Sequence, residues 1–244
     1  MATLATDRAP ISYRTSQPFF VRLAWIMAAI IVIGFGQNAA MGRVDIPAAP
    51  IWVHAHGVLM LGWLALLITQ NRLAAAGNLT LHRTLGRAGA LLALAIVGLA
   101  GFTGVMALVL HRFPPFFTPA YFLALTSVEA VAFGALVLGG IVRRADTETH
   151  RRLIMGGTII LLEPAFGRLL PMPVLGGETG EWIAMLIQLG FVGAIAVHDR
   201  RTLSQVHRAT AVVAAIVVAS HVAVTLAARS GTVIALADRI MGQG

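Results

Sequence analysis

The chain contains no cysteine and no lysine. The first absence excludes disulfides, covalently attached c-type haem, thiolate-ligated haem and cysteine-bound iron–sulfur clusters. The second makes arginine the source of all 18 basic residues and excludes a retinal Schiff base, which needs a lysine amine. Charge is scarce: 11% of the 244 residues are charged, where soluble domains carry about 25%. In its place stand 58% hydrophobic residues and a mean hydropathy of +0.83. A net charge of +8 would suit nucleic acid, but the arginines sit in short loops between apolar runs. That pattern sets membrane topology rather than a groove-binding face, and no nucleic-acid partner is expected.

A membrane-spanning helix needs about 20 mostly apolar residues. Seven segments qualify: 19–41, 51–73, 85–110, 121–142, 151–170, 181–197 and 206–227. The expected fold class is therefore all-α, a polytopic integral membrane protein with a seven-transmembrane-helix bundle, each span satisfying its own backbone hydrogen bonds. A polar cytoplasmic segment (1–18) precedes the transmembrane domain (19–229), and a short amphipathic or frayed tail (230–244) follows it. Pro115, Pro119, Pro171 and Pro173 are expected in loops. The N-terminus and the loops after the second, fourth and sixth spans hold 13 arginines and the other side holds 5. The positive-inside rule then places the N-terminus in the cytoplasm and the C-terminus outside. The expected location is a bacterial inner membrane, with the lipid bilayer as the main partner.

The second span carries two histidines, His54 and His56. Ionisable side chains at membrane depth are costly and usually face a bundle interior, a cavity or a metal. At a rise of ~1.5 Å per residue, several helices place a polar group in one slab in the outer half. They are His54 and His56, Glu129, Glu163, Gln188 and His221, with Gln37 and Asn38 nearby. His54 and His56 point about 200° apart around their helix, so at most one of them faces a shared centre, and His56 lies nearer the depth of His221. Pro164 follows Glu163, which frees a backbone carbonyl and can kink the helix. An ion pair of Glu163 with Arg168 is a structural alternative. A second set, His82, His150 and His207 with His198, marks the inner ends of helices and reads as interfacial anchoring or as an inner histidine layer. Gly98, Gly101, Gly104, Gly134, Gly139 and Gly140 suggest close helix packing.

Three chemistries suit these residues. Neutral imidazoles from two helices at matching depth can hold haem b, as His56 and His221 would, with His82, His150 and His207 serving an inner centre. That is redox, electron-transfer work. A membrane-embedded zinc- or iron-dependent hydrolase or hydroxylase would take His54 or His56 and His221 as metal ligands and Glu129 or Glu163 as the catalytic base. The third is a non-enzymatic transporter or an auxiliary subunit of a membrane complex, with buried Glu and His as a proton relay or as structural pairs. Partner subunits or a quinone would accompany the redox reading.

Four phrases carry a resemblance: V-H-A-H with Trp63 and Gln70, L-H-R-T-L-G-R at 81–87, H-R-R-L-I-M at 150–155 and V-H-R-A-T at 206–210. Together the region from Trp52 to His221 resembles a bacterial multi-pass membrane family of unassigned function. The resemblance implies a seven-helix fold and roles for His54 or His56, His82, His150 and His207. The short H-R-x-L-G phrase is also similar to one in b561-type cytochromes, which differ in span number and have more mid-membrane histidines.

Overall fold

The computed structural model describes residues 11–242. Ten helices follow in order: α1 (Ile11–Ala40), α2 (Ile51–Ala76), α3 (Leu79–Val109), α4 (Pro119–Val142), α5 (Thr147–Ile160), α6 (Glu163–Leu169), α7 (Met172–Leu175), α8 (Gly177–Leu203), α9 (Arg208–Ala228) and α10 (Gly231–Met241). Among the described residues there is no strand. Six helices, α1, α2, α3, α4, α8 and α9, have the length and apolar composition of membrane spans. Their outward faces are large aliphatic side chains such as Ile51, Val58, Leu91 and Val131, all exposed, which fits a lipid surround rather than water.

The helix ends follow local chemistry. Gly77 takes the left-handed conformation that closes α2. Asn78 accepts from the Leu81 amide and starts α3. His82 and Arg83, expected before this helix, therefore lie in its first turns. Thr118 caps α4 with Pro119 in the first turn, and Pro173 falls inside the short α7. These two prolines are helical, contrary to the loop expectation, because the first helical turn needs no proline N–H. α8 starts four residues earlier than expected and runs to Leu203, so Glu178, Glu181, His198 and Asp199 all lie within it. Within the tail expected at 230–244, Gly231–Met241 form α10, capped by Ser230 and packed on α3, α4 and α9.

The expected fifth span is broken. α5 ends at Ile160, a tight turn passes through Leu161 and Leu162, and α6 restarts at Glu163-Pro164. Proline cannot supply the N–H that would bond to the Ile160 carbonyl. The break is thus the kink that Pro164 predicts.

The packing pattern closes a ring, α1–α2–α3–α4–α9–α8 and back to α1. α5 occupies its middle, packed on α4, α9, α8 and α1 and bonded to α2 through Trp63 Nε1, which donates to Thr158 Oγ1 at 3.2 Å. Every residue from Arg151 to Ile160 except Ile154 is buried. Glycine allows this crowding. A Cβ on Gly156 would lie 2.4 Å from Val213 of α9, and one on Gly157 would lie 2.8 Å from Val137 of α4. α6 lies between α1 and α8, where a Cβ on Gly34 would come within 2.9 Å of the Ala165 carbonyl oxygen. Of the α3 and α4 glycines, Gly104, Gly134 and Gly140 make close approaches and Gly139 an ordinary contact. Gly98 and Gly101 face open space.

Candidate functional site

Two polar clusters flank the middle of the bundle, and the central helix contributes to both. The one at the arginine-rich end is built on Arg152, whose side chain is fully buried. Its Nε donates to Asp199 Oδ1 at 3.0 Å, and its Nη2 reaches the same oxygen. Nη1 donates to the Glu148 carbonyl at 2.8 Å and to Glu148 Oε2. Asp199 Oδ2 accepts from Thr210 Oγ1 at 2.5 Å and from the His207 amide at 3.0 Å. Arg151 bonds Glu148 Oε2 at 2.5 Å and lies 4.3 Å from the Phe20 ring centroid. Each bond to Arg152 and Asp199 is charge-assisted, the stronger kind. This network ties α5, α8 and α9 together.

The four histidines at the arginine-rich end do not gather into one cluster. His82 and His150 approach with ring centroids 6.4 Å apart and planes nearly perpendicular. Gln70 Nε2 donates to the His82 carbonyl at 3.0 Å, and His150 Nδ1 bonds the Gly140 carbonyl at 2.8 Å. His198 lies elsewhere, stacked on Phe19 at 4.1 Å. His207 is the cap of α9, its Nδ1 accepting from the Ala209 amide. Burial, then the Arg152 charge, holds the His207 imidazole below its ordinary value. In the neighbouring loop, hydrogen bonds from the Thr149 hydroxyl and amide hold the Asp146 carboxyl below the usual carboxylate range.

The second cluster sits at the break between α5 and α6. Glu163, in the first turn of α6, is buried. Its carboxyl faces those of Glu129 on α4 and Glu181 on α8 at hydrogen-bonding range. Glu181 is 1% exposed, and no N–H or O–H donor reaches either of its oxygens. A contact between two carboxyls becomes a hydrogen bond only with a proton between them, because an ionised carboxyl only accepts. Tyr121, buried on α4, lies within electrostatic reach of Glu181, Glu178 and Glu163. The exposed Glu178 pairs with Arg229 at 2.6 Å, at the end of the bundle away from Arg152.

Gln188 joins this cluster to the break itself. Its Nε2 donates to the Ile159 and Ile160 carbonyls at 3.1 and 3.3 Å; the second is the group that the missing proline N–H leaves open. Its Oε1 is therefore the acceptor that faces His221 Nε2 at 2.9 Å. That assignment puts the His221 proton on Nε2 and leaves Nδ1 bare in the neutral ring. Arg168 makes no ion pair with Glu163. Its Nη1 donates to the Pro164 carbonyl at 2.6 Å, and its guanidinium lies over Phe35 at 4.0 Å.

Glu129 and Glu163 are thus brought together, and Gln188 with His221 beside them. His56 and His221 are not on packed neighbours: α2 packs on α1 and α3, while α9 packs on α4, α5 and α8. His56 keeps a buried Nδ1 without a hydrogen-bond partner, and His54 is half-exposed on the same helix. Among the described residues, no group of three or more His, Cys, Asp or Glu side chains is arranged to hold a metal ion. Glu181 was absent from the expected site, although its i, i+3 spacing from Glu178 at a helix start was visible. Comparison of the chain with protein-family models, with curated proteins and with solved structures gives no match in any of the three.

Proposed function

We propose that this chain is a proton-handling membrane protein, a transporter or a proton-coupled subunit. Its centre is the Glu129–Glu163–Glu181 cluster. The observation that carries the reading is Glu181: a carboxyl buried among carboxyls, with both oxygens lacking any donor. Ionisable groups of this kind inside a bundle mark ion pathways and proton relays. On this reading the broken helix α5–α6 is a seventh span, the N-terminus is cytoplasmic, and the membrane is a bacterial inner membrane. Discontinuous helices that line a substrate or ion site are a recurring device of transporters. Protons reach Glu181 from the outer side, past the Glu178–Arg229 pair and Tyr121, and are shared onward with Glu163 and Glu129. Gln188 and His221 link the loading of Glu163 to the geometry of the break.

The test is infrared difference spectroscopy of the reconstituted protein across a pH titration. The protonated-carboxyl bands of the wild type should lose intensity stepwise in Glu181→Gln, Glu163→Gln and Glu129→Gln. Liposomes holding a pH-sensitive dye should show the same variants blocking proton flux. A triple variant with wild-type bands and flux would refute the centre.

A second reading, electron transfer through haem b or a bound iron, draws on His82 and His150, the imidazoles that lie close together. The anchoring of His150 Nδ1 on a backbone carbonyl is the arrangement that orients a ligating histidine. An optical spectrum with elemental analysis of protein purified from its native membrane separates the two readings.

A further inference from the structure

We infer that the groove between α1 and α2 is a binding site for an anionic phospholipid of the leaflet at the arginine-rich end. The groove has a volume of about 530 Å³, is almost wholly apolar, and is lined by Trp25, Ala29, Val32, Leu61, Ala65 and Arg72 among others. The two helices run antiparallel, so Trp25 and Arg72 meet at one end and Val32 and Leu61 at the other. Small side chains are among its lining: Ala28 and Ala29 on α1, Ala65 on α2.

Arg72 stands at the mouth. Arg22 lies one turn below Trp25 on the same face of α1, at i−3. Both arginines are exposed, and neither makes an ion pair among the described residues. Arg152, by contrast, is buried and answered within the protein by Asp199 and Glu148. From Arg22 to Val32 the helix rises about 15 Å, half of a ~30 Å hydrocarbon core. That is the depth of one acyl chain in one leaflet. The site therefore offers a slot for a chain and, at its head, two cations without counter-ions. Guanidinium matches phosphate with two parallel donors. A quinone would fill the slot and leave both charges unanswered, and a zwitterionic lipid would answer them in part.

The experiment uses the full chain, purified in mild detergent and examined by native mass spectrometry with added phosphatidylglycerol or phosphatidylcholine. Wild-type protein should retain one phosphatidylglycerol molecule in preference to phosphatidylcholine. Arg22→Ala or Arg72→Ala should weaken that retention about fivefold each and the pair about 25-fold, the scale of basic residues at an anionic surface. Ala29→Trp fills the slot with both arginines in place and should also remove the bound lipid. Arg83→Ala/Arg87→Ala serves as the control for diffuse charge. Equal losses in this control and in Arg22→Ala/Arg72→Ala would overturn the inference. So would retention unchanged by Ala29→Trp, or a co-purified quinone that Ala29→Trp displaces.

Discussion

The two polar clusters at the ends of the central helix both bury carboxyl groups and are opposite in their bonding. At the arginine-rich end, Arg152 and Asp199 are both fully buried, and the bonds that hold them come from three helices. At the break, Glu181 is just as buried and has no donor. Buried charge without compensation is strongly destabilising, whereas a satisfied network holds its elements in one arrangement. The first cluster has the bonding of a fastener and the second that of a site awaiting a proton. Burial alone therefore does not tell the two clusters apart; the count of donors against acceptors does.

The largest expected effect breaks the fastener. Arg152→Leu leaves Asp199 buried without its cation and should cost about 3–5 kcal/mol, read as a fall in thermal stability in detergent. Arg152→Leu/Asp199→Leu should recover much of that loss, because the uncompensated charge is gone. Glu181→Gln sharpens the contrast: it removes a proton-carrying group yet should leave the melting temperature near that of the wild type. A large stability loss in Glu181→Gln would show that the two clusters do the same job.

An intermediate effect is expected at Gln188. Gln188→Leu strips the Ile160 carbonyl of its side-chain donor and His221 of its acceptor, which should cost about 1–3 kcal/mol. Hydrogen exchange at the α5–α6 turn should rise while the Arg152 end stays protected. Uniform loosening of both ends would mean that the break is not an independent element.

The smallest effect concerns His207. Its pKa is held down in the folded protein, so the unfolded chain binds the proton more readily. Its contribution to stability is therefore present above the unfolded value, ~6.5, and is lost as pH falls through the lower folded value. Protonation also removes the Nδ1 lone pair that accepts from Ala209. The start of α9 should fray in mild acid, seen as faster amide exchange. His207→Asn keeps a capping acceptor that does not titrate in this range, and should abolish that acid sensitivity.

Much of the architecture was legible because hydropathy and helical rise are one-dimensional. Six of the seven expected spans appear as single long apolar helices, and the kink at Pro164 follows from one missing N–H. Depth also put Glu129, Glu163, Gln188 and His221 at one level. Depth says nothing of the direction around each helix or of the order of helices in the ring. The pairing of His56 with His221 depended on both, and their helices are not packed neighbours. Arg152 was read as one more loop arginine, because nothing local reveals that α5 is the helix the others surround. Glu181 was taken as the first residue of its span, although the helix begins at Gly177, and so its burial was hidden.

The position of α5 bears on how the protein is made. The helix at the middle of the ring is only 14 residues long and carries Glu148, Arg151 and Arg152, well short of the ~20 mostly apolar residues that cross a bilayer alone. A segment with that burden is a poor candidate for threading into lipid alone as it leaves the ribosome. On the seven-span reading it has to be held until α8 and α9 emerge with Asp199 and Thr210, and then be drawn in by them. Biogenesis of this chain would therefore run out of sequence order, with its most interior piece among the last to settle.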